Sequence, residues 1–439
     1  MTMMSLGLIM DPYGNHPVAW RLANAPNGAE TSIEHYSHVA RTAEESAFDF
    51  IFFADTPAVR DGNIDAVSRW PLYAAQFEPL TLLGALAGAT TKIGLAATVS
   101  TSFSEPYNVA RQLLSLDHLS HGRIAWNVVT TSQPAASFNF GREPRKDHGE
   151  RYARAREHLE VVKGLWRSWD DDAFLYDRDG GRFFDPDKLH RLNFEGQHFS
   201  VRGPLNVPRS PQGNPVIIQA GASEAGKELA AETAEVVFTA DRNIDRAREF
   251  YTDLKGRMTK FGRGPNELRI LSGLNPIFGR TRQEAQDLHG KLCEAIHPDV
   301  GRELLSIDMD YVSLKDVPLD EPLPADLFPK DVQGGKSYLS YIRQTMNDRD
   351  LTLRQLYESY ATGRGGNVVV GSPEDVVDLM EEWFTTGAAD GFMIGFSLLP
   401  QGIEEFGKLI VPELRRRGLF RETYTGGTLR EHLGLSIPR

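Results

Sequence analysis

The chain has 439 residues, 48 Lys and Arg against 60 Asp and Glu, a formal net charge of −12, and 41% hydrophobic residues. This is the composition of a folding chain, and its acidic balance argues against a phosphate-tracking nucleic-acid surface. No apolar run approaches the roughly 18–20 residues of a membrane span, and a single cysteine, Cys293, excludes an internal disulfide and a Cys-rich metal site.

The first apolar stretch, Ser5–Met10, has no basic flank and stops at Asp11-Pro12. It reads as a core strand rather than a signal peptide, and the cytoplasm is the expected compartment. Seven more short runs follow: Phe48–Ala54, Lys92–Val99, Ile124–Thr130, Pro215–Ala220, Glu235–Ala240, Arg269–Phe278 and Gly391–Phe396. Most are almost continuously hydrophobic, as in Phe50-Ile51-Phe52-Phe53. That pattern belongs to strands covered on both faces of a parallel sheet. Helical patterns fill the gaps, and eight strands is the number that closes a (β/α)₈ TIM barrel.

Among the helices, Ser32–Ala47 places Ile33, Tyr36, Ala40, Ala43 and Ala47 on one stripe. Glu150–Trp169 does the same with Tyr152, Ala155, Leu159, Val162 and Trp166. Ser372-Pro373-Glu374-Asp375 reads as an N-cap, a first-turn proline and two first-turn acids. Arg415-Arg416-Arg417 complements the negative end of a helix. Two polar stretches, about 170–214 and 297–366, break the rhythm, and the chain reads as one α/β domain, 1–439, with these as insertions. Insertions of this kind shape a barrel mouth or an oligomer contact, so a homodimer or homotetramer is expected.

Active sites of such barrels lie at the C-terminal ends of the strands. Those ends carry Asp55 and Thr56; Thr98, Ser100, Thr101 and Ser102; Asn127, Thr130 and Thr131; Gln219-Ala220-Gly221-Ala222-Ser223; and Thr239. The set is rich in hydroxyls and amides and has one carboxylate. It lacks the paired acids of a glycosidase and the His/Asp cluster of a metal hydrolase, and no metal is expected. Such a mouth suits a flat, hydrogen-bonding organic cofactor. Gly221 to Ser223 lead a strand into a helix, where free N–H groups and the Ser223 hydroxyl can cradle a phosphate. The alternative is an ordinary N-cap serine. His148 and Tyr152 share one face of a helix start at i,i+4 spacing, which is equally compatible with a structural role. His35/His38 and His118/His121 have no third ligand nearby and do not read as metal sites.

The order and spacing of many short stretches carry a resemblance. They include Phe48-Asp49-Phe50-Ile51-Phe52-Phe53-Ala54-Asp55, Trp126-Asn127-Val128-Val129-Thr130-Thr131, His148-Gly149-Glu150-Arg151-Tyr152, Gln219-Ala220-Gly221, Gly387-Ala388-Ala389-Asp390-Gly391-Phe392 and Thr428-Leu429-Arg430-Glu431-His432-Leu433-Gly434-Leu435. From about Leu6 to Leu435 the sequence resembles the flavin-dependent monooxygenases of the bacterial luciferase-like superfamily. The nearest branch is the one with nitrilotriacetate, EDTA, dibenzothiophene-sulfone and long-chain alkane monooxygenases.

The resemblance implies a reduced FMN (FMNH₂) supplied by a separate NAD(P)H:flavin reductase, O₂ as co-substrate, a flavin peroxide, and a small-molecule substrate. It implies FMN contacts at Asp55, Thr101, Asn127, His148, Tyr152, Ala222 and Ser223, with His148, Tyr152 and Ser223 at the phosphate. It implies that Thr98 and Asn127 hold oxygen near the flavin. Neutral donors there suit an oxygenase, because a strong acid would release hydrogen peroxide.

The last strand departs from the family pattern. Phe396, Leu398 and Leu399 point to an apolar or aromatic substrate, or else to barrel packing. Trp20 and Arg21, after the first strand, are substrate candidates; otherwise Trp20 packs and Arg21 pairs with a carboxylate. Gly363-Arg364-Gly365-Gly366-Asn367 lacks the Lys-Ser/Thr of a P-loop and reads as a mobile connection. The competing functions are a deazaflavin-dependent oxidoreductase on the same barrel and a flavin-binding protein without turnover.

Overall fold

A computed structural model describes residues 3–71, 73–131, 133–141, 148–221, 223–329, 336–348, 351–363 and 366–438. The strands of its main sheet are β1 (Ser5–Ile9), β2 (Phe50–Phe53), β3 (Gly94–Ser100), β4 (Ile124–Val129), β5 (Val216–Ala220), β6 (Val236–Thr239), β7 (Arg269–Phe278), β8 (Asn367–Gly371) and β9 (Gly391–Gly395). Their order is β6-β5-β4-β3-β2-β1-β9-β7-β8, and β6 also pairs with β7. The ring β1 to β7 plus β9 is therefore a closed, eight-stranded parallel barrel, as the sequence predicts.

β8 is the addition that the sequence pattern did not yield. β7 is ten residues long. Its first part pairs with β6 and β9 inside the ring, and Leu274–Phe278 run on to pair with Asn367–Gly371. The segment taken as the tail of an insertion thus leads directly into a strand.

The helices of nine residues or more are α1 (Ile33–Glu45), α2 (Pro79–Ala89), α3 (Pro106–Leu119), α4 (His148–Leu165), α5 (Glu224–Thr233), α6 (Ile244–Arg257), α7 (Arg282–Glu294), α8 (Pro298–Asp308), α9 (Lys336–Asp348), α10 (Leu353–Gly363), α11 (Pro373–Thr385) and α12 (Gln401–Leu409). Local chemistry sets their starts. Ser32 accepts the His35 N–H, and Ser372 with Asp375 forms a capping box ahead of α11. Ala155, Leu159 and Val162 of α4, and Trp166 just past its end, are all buried, as their spacing requires.

Alternation along the strands separates two cores. Ile51, Phe53, Leu95, Ala97, Ile124 and Trp126 face the helices. Phe50, Phe52, Ala96, Ala125, Val216, Ile218, Leu271 and Met393 fill the barrel interior. This is why Phe50-Ile51-Phe52-Phe53 is apolar without a break.

The interior is stoppered at its lower end by the C-terminal segment, whose Leu429, Leu433 and Leu435 join the interior cluster. Gly94 makes room for it: a Cβ there would lie 2.6 Å from Leu429 Cδ1 and 2.9 Å from Asp49 O. Arg430, almost fully buried, fastens the segment to Gln212 O, Asn214 O and both carboxylate oxygens of Glu235.

The stretch between α4 and β5 forms two short hairpins, Phe174–Asp177 with Arg182–Phe184 and Phe194–Glu195 with Ser200–Val201. The longer stretch after α7 is largely helical. Leu304 and Leu305 of α8, Ile342 of α9 and Leu356, Tyr357 and Tyr360 of α10 build a further buried cluster, which Val18, Ala19 and Leu398 join. Among the described residues no helix is long and apolar enough to cross a membrane.

Candidate active site

Extending the inward alternation of β3 and β4 by two residues beyond Ala96 and Ala125 brings Thr98 and Asn127 into the barrel mouth. They are register partners, both are buried, and Asn127 Nδ2 donates to Thr98 Oγ1 at 2.9 Å. Thr98 therefore keeps its own hydroxyl proton to donate. Asn127 Oδ1 is buried and has no protein partner, which is a costly state for an amide oxygen unless a ligand or water fills it.

The rim above this pair is knitted by hydroxyls. Thr131 Oγ1 donates to Ser100 Oγ at 2.7 Å, and Trp126 Nε1 donates to Val99 O at 3.1 Å. The Thr101 hydroxyl donates to Val129 O at 3.0 Å. Thr101 is thus brought to the correct rim, but its proton is already spent on the backbone and its side chain is buried.

On the neighbouring strand end, Asp55 accepts from Gln76 Nε2 at 2.7 Å. Burial pushes its carboxyl up to about 6 against the opposing Gln76 hydrogen bond, and the Glu78 carboxylate adds to the rise. A carboxyl that titrates so near neutrality is characteristic of functional clefts.

The next strand end leads into α5. Ser223 is its N-cap, with Oγ accepting the Gly226 N–H at 3.1 Å. Tyr152, from α4, brings its hydroxyl to the same place. A Cβ on Gly226 would lie 3.1 Å from Ser223 Oγ and 3.3 Å from Tyr152 Oη, and one on Gly221 would lie 3.8 Å from Tyr152 Oη. Two glycines, two hydroxyls and the first turn of a helix therefore converge, as a phosphate site requires. Ala222 lies outside the described residues. His148 is the first residue of α4, but its side chain also lies outside them.

The remaining candidates lie on the segments that follow β1 and β9. Trp20 is 46% exposed, and its Nε1 donates to Arg69 O; Arg21 Nη1 donates to Ala295 O. Trp20 therefore does not pack as a core residue, and the partner of Arg21 is a carbonyl rather than a carboxylate. Both staple the loop after β1 to neighbouring segments. Phe396 is 1% exposed and lies edge-on to Phe406 of α12 at 5.5 Å. Its ring, like Leu399, belongs to the layer between barrel and helices, and Leu398 belongs to the second buried cluster. Alternation turns Phe396 outward, onto α12.

Sequence reading missed the opposite half of the mouth. Asn275 of β7 accepts a hydrogen bond from Asn15 Nδ2 and donates to Gly363 O at 3.2 Å. Its signal was available, as a polar residue at inward parity in an apolar strand. The role of Gln76 had no local signal.

The family model for the luciferase-like monooxygenases matches residues 18–390. The chain belongs to the luciferase-like monooxygenases. This luciferase-like monooxygenase is 46% identical over 435 residues to N-acetyl-S-(2-succino)cysteine monooxygenase of Bacillus subtilis (strain 168), covering 99% of this chain and 97% of the relative. It is 43% identical over 442 residues to nitrilotriacetate monooxygenase component A of Aminobacter aminovorans, covering 99% and 97%. Among solved structures, a riboflavin lyase with modified FMN and riboflavin superposes with a TM-score of 0.85 at 29% identity, covering 99% of this chain and 96% of the other. The protein is a flavin-dependent monooxygenase.

Proposed function

We propose that this chain is the oxygenase component of a pair. It takes FMNH₂ from a separate NAD(P)H:flavin reductase and uses O₂ to hydroxylate a small organic substrate or to cleave its C–S, C–N or C–halogen bond. The observation that carries the reading is the buried Thr98–Asn127 pair with its unpartnered Oδ1, set beside a phosphate cradle on the same mouth. The relatives named for N-acetyl-S-(2-succino)cysteine and nitrilotriacetate favour C–S and C–N bonds over C–halogen. Phe396, Leu398 and Leu399, on which an apolar or aromatic substrate rests, pack in the two buried clusters.

The residues fit the cofactor. Gly221 and Gly226 leave the space that a phosphate needs, Ser223 and Tyr152 supply hydroxyls, and Asn127 Oδ1 offers an unused acceptor to the ring. His148 and Ala222 complete the set by resemblance. Bound reduced flavin supplies the electrons that activate O₂. The chain's own part is positional. Thr98 donates a hydrogen bond without being acidic enough to release its proton. Asn127 fixes Thr98, and the hydroxyl-knitted rim keeps both in place. Asp55 is ionised above pH about 6 and there offers an acceptor at the β2 end of the mouth, across β3 and β4 from the cradle.

One domain with two insertions, a homo-oligomeric state and a cytoplasmic location complete the proposal. The test is an anaerobic FMNH₂ complex exposed to ¹⁸O₂ with a substrate panel that includes thioethers and tertiary amines. Incorporation of one labelled atom is expected. Substrate turnover with a reduced deazaflavin and no oxygen uptake, or no uptake and no product with either cofactor, overturns the reading.

A further inference from the structure

A cavity opens between the start of the loop that follows α8 and the loop after β2, with none of Thr98, Asn127 and Ser223 in its lining. Its volume is about 270 Å³, just under the range of drug-sized sites, so it suits a guest of few atoms. One wall is α8, a helix with two covered faces. The first face is apolar: Val300, Leu304 and Leu305 enter the second core, and Gly301 admits the Tyr357 ring. The second face carries Asp299, Arg302, Glu303 and Ser306 at i, i+3, i+4 and i+7 and turns toward the loop after β2.

Glu303 and Ser306 are only 8% exposed. Burying a charged face is costly unless its groups find partners. Glu303 is provided for: its Oε1 accepts the Asn63 N–H at 3.2 Å, and Gly62, at φ +137°, has no side chain to block the approach. Arg302 is not fully provided for. Nη2 donates to Val317 O at 3.0 Å, Nη1 stands 3.7 Å from Asp299, and Nε is buried with no partner. The return loop adds Tyr311, Ser313 and Lys315 to the lining. The cleft therefore sets a half-satisfied guanidinium, an ammonium and hydroxyl donors against two carboxylates, Asp299 beside Arg302 and Glu303 on the Asn63 N–H.

We propose that this cleft is a binding site for a small carboxylate, held by Arg302 and Lys315 with Ser306 and Ser313 as supporting donors. A planar guanidinium with unspent N–H groups matches the two oxygens of a carboxylate, and a monoanion adds less repulsion against Asp299 and Glu303 than a dianionic phosphate does. The cleft belongs to the rim of the mouth. Gly62 and Asn63 lie on the loop that begins at Asp55, and the Tyr311 hydroxyl is hydrogen-bonded by Gln133, on the loop that follows Asn127. The carboxylate is either the charged tail of the substrate or a free acid. The site stands in both cases, and only its assignment to a substrate tail rests on the proposed oxygenase reading.

The test uses the full chain loaded with FMN and succinate as probe, followed by calorimetry. Saturable binding is expected, weakened about tenfold or more in Arg302→Gln and in Lys315→Gln and tightened in Glu303→Gln, which removes a repelling charge. FMN affinity and thermal midpoint should stay unchanged in Lys315→Gln, so a misfolded Arg302→Gln does not decide the matter. Absence of saturable binding by the wild type, or binding that both variants leave unaltered, overturns the proposal. In oxygen-uptake assays, succinate competing with a turned-over substrate identifies a substrate tail, and succinate altering uptake without competing identifies a free ligand. FMNH₂ failing to bind at all would instead refute the oxygenase reading and leave the succinate result standing.

Discussion

Gly226→Ala separates the cradle from an ordinary helix start, because the two effects have opposite signs. The residue sits three positions into α5 from its Ser223 cap. Ala in place of Gly favours a helix by up to about 1 kcal/mol, less at an end than in the middle. The new Cβ, however, arrives 3.1 Å from Ser223 Oγ and 3.3 Å from Tyr152 Oη. Both hydroxyls must retreat by a few tenths of an ångström, away from the place where a phosphate would sit. One charge-assisted hydrogen bond is worth about 1.5–3 kcal/mol, so its loss weakens FMN binding roughly 10- to 150-fold. Ser223→Ala removes the same oxygen directly and also loses a cap worth about 1 kcal/mol. FMN titrations of both variants, with thermal melts, are the assay. The expected pattern is weaker binding in both, with a lower midpoint only in Ser223→Ala. Unchanged FMN affinity in Gly226→Ala and Ser223→Ala would refute the cradle.

Thr98→Val leaves Asn127 Nδ2 without its acceptor. A cost of about 1–3 kcal/mol in stability is expected, together with a shift from product to hydrogen peroxide in coupled oxygen-uptake assays; full coupling would exclude Thr98 from the oxygen site. Asp55 is held up to about 6 in the fold by burial, above the ordinary carboxylate value. The folded state therefore binds more protons than the unfolded one between about pH 4 and 6, and stability from this group falls as pH rises through that window. Asp55→Asn removes the effect, so the variant should gain on the wild type in thermal midpoint from pH 4 to pH 7; a constant difference would contradict the assignment. Gly94→Ala drives a methyl into Leu429 and Asp49 O, and overpacking of this kind costs about 1–3 kcal/mol, read as a lower midpoint. Arg430→Met strands the partly buried Glu235 carboxylate. A loss of roughly 3–5 kcal/mol is expected, eased by adding Glu235→Gln.

The sequence alone determined the barrel and half of its mouth. Eight apolar runs match eight ring strands, because a parallel strand covered on both sides must be hydrophobic at every position, and Phe50-Ile51-Phe52-Phe53 shows it residue by residue. The caps at Ser223 and Ser372 are local hydrogen bonds within four residues of chain and were legible in the sequence. Thr98 and Asn127 could be named from strand ends and from resemblance.

Only the tertiary structure decided what distant segments do to one another. It joined Thr98 to Asn127, brought Tyr152 from α4 to Ser223, and spent the Thr101 proton on Val129 O. It turned Phe396 outward onto Phe406, and it set Asn367–Gly371 beside the far end of β7. It also sealed the barrel floor with Leu429 and Leu433. A residue's periodicity fixes which face it takes on its own element. Which partner that face meets depends on ring closure and on chain hundreds of residues away, and no local pattern carries that information.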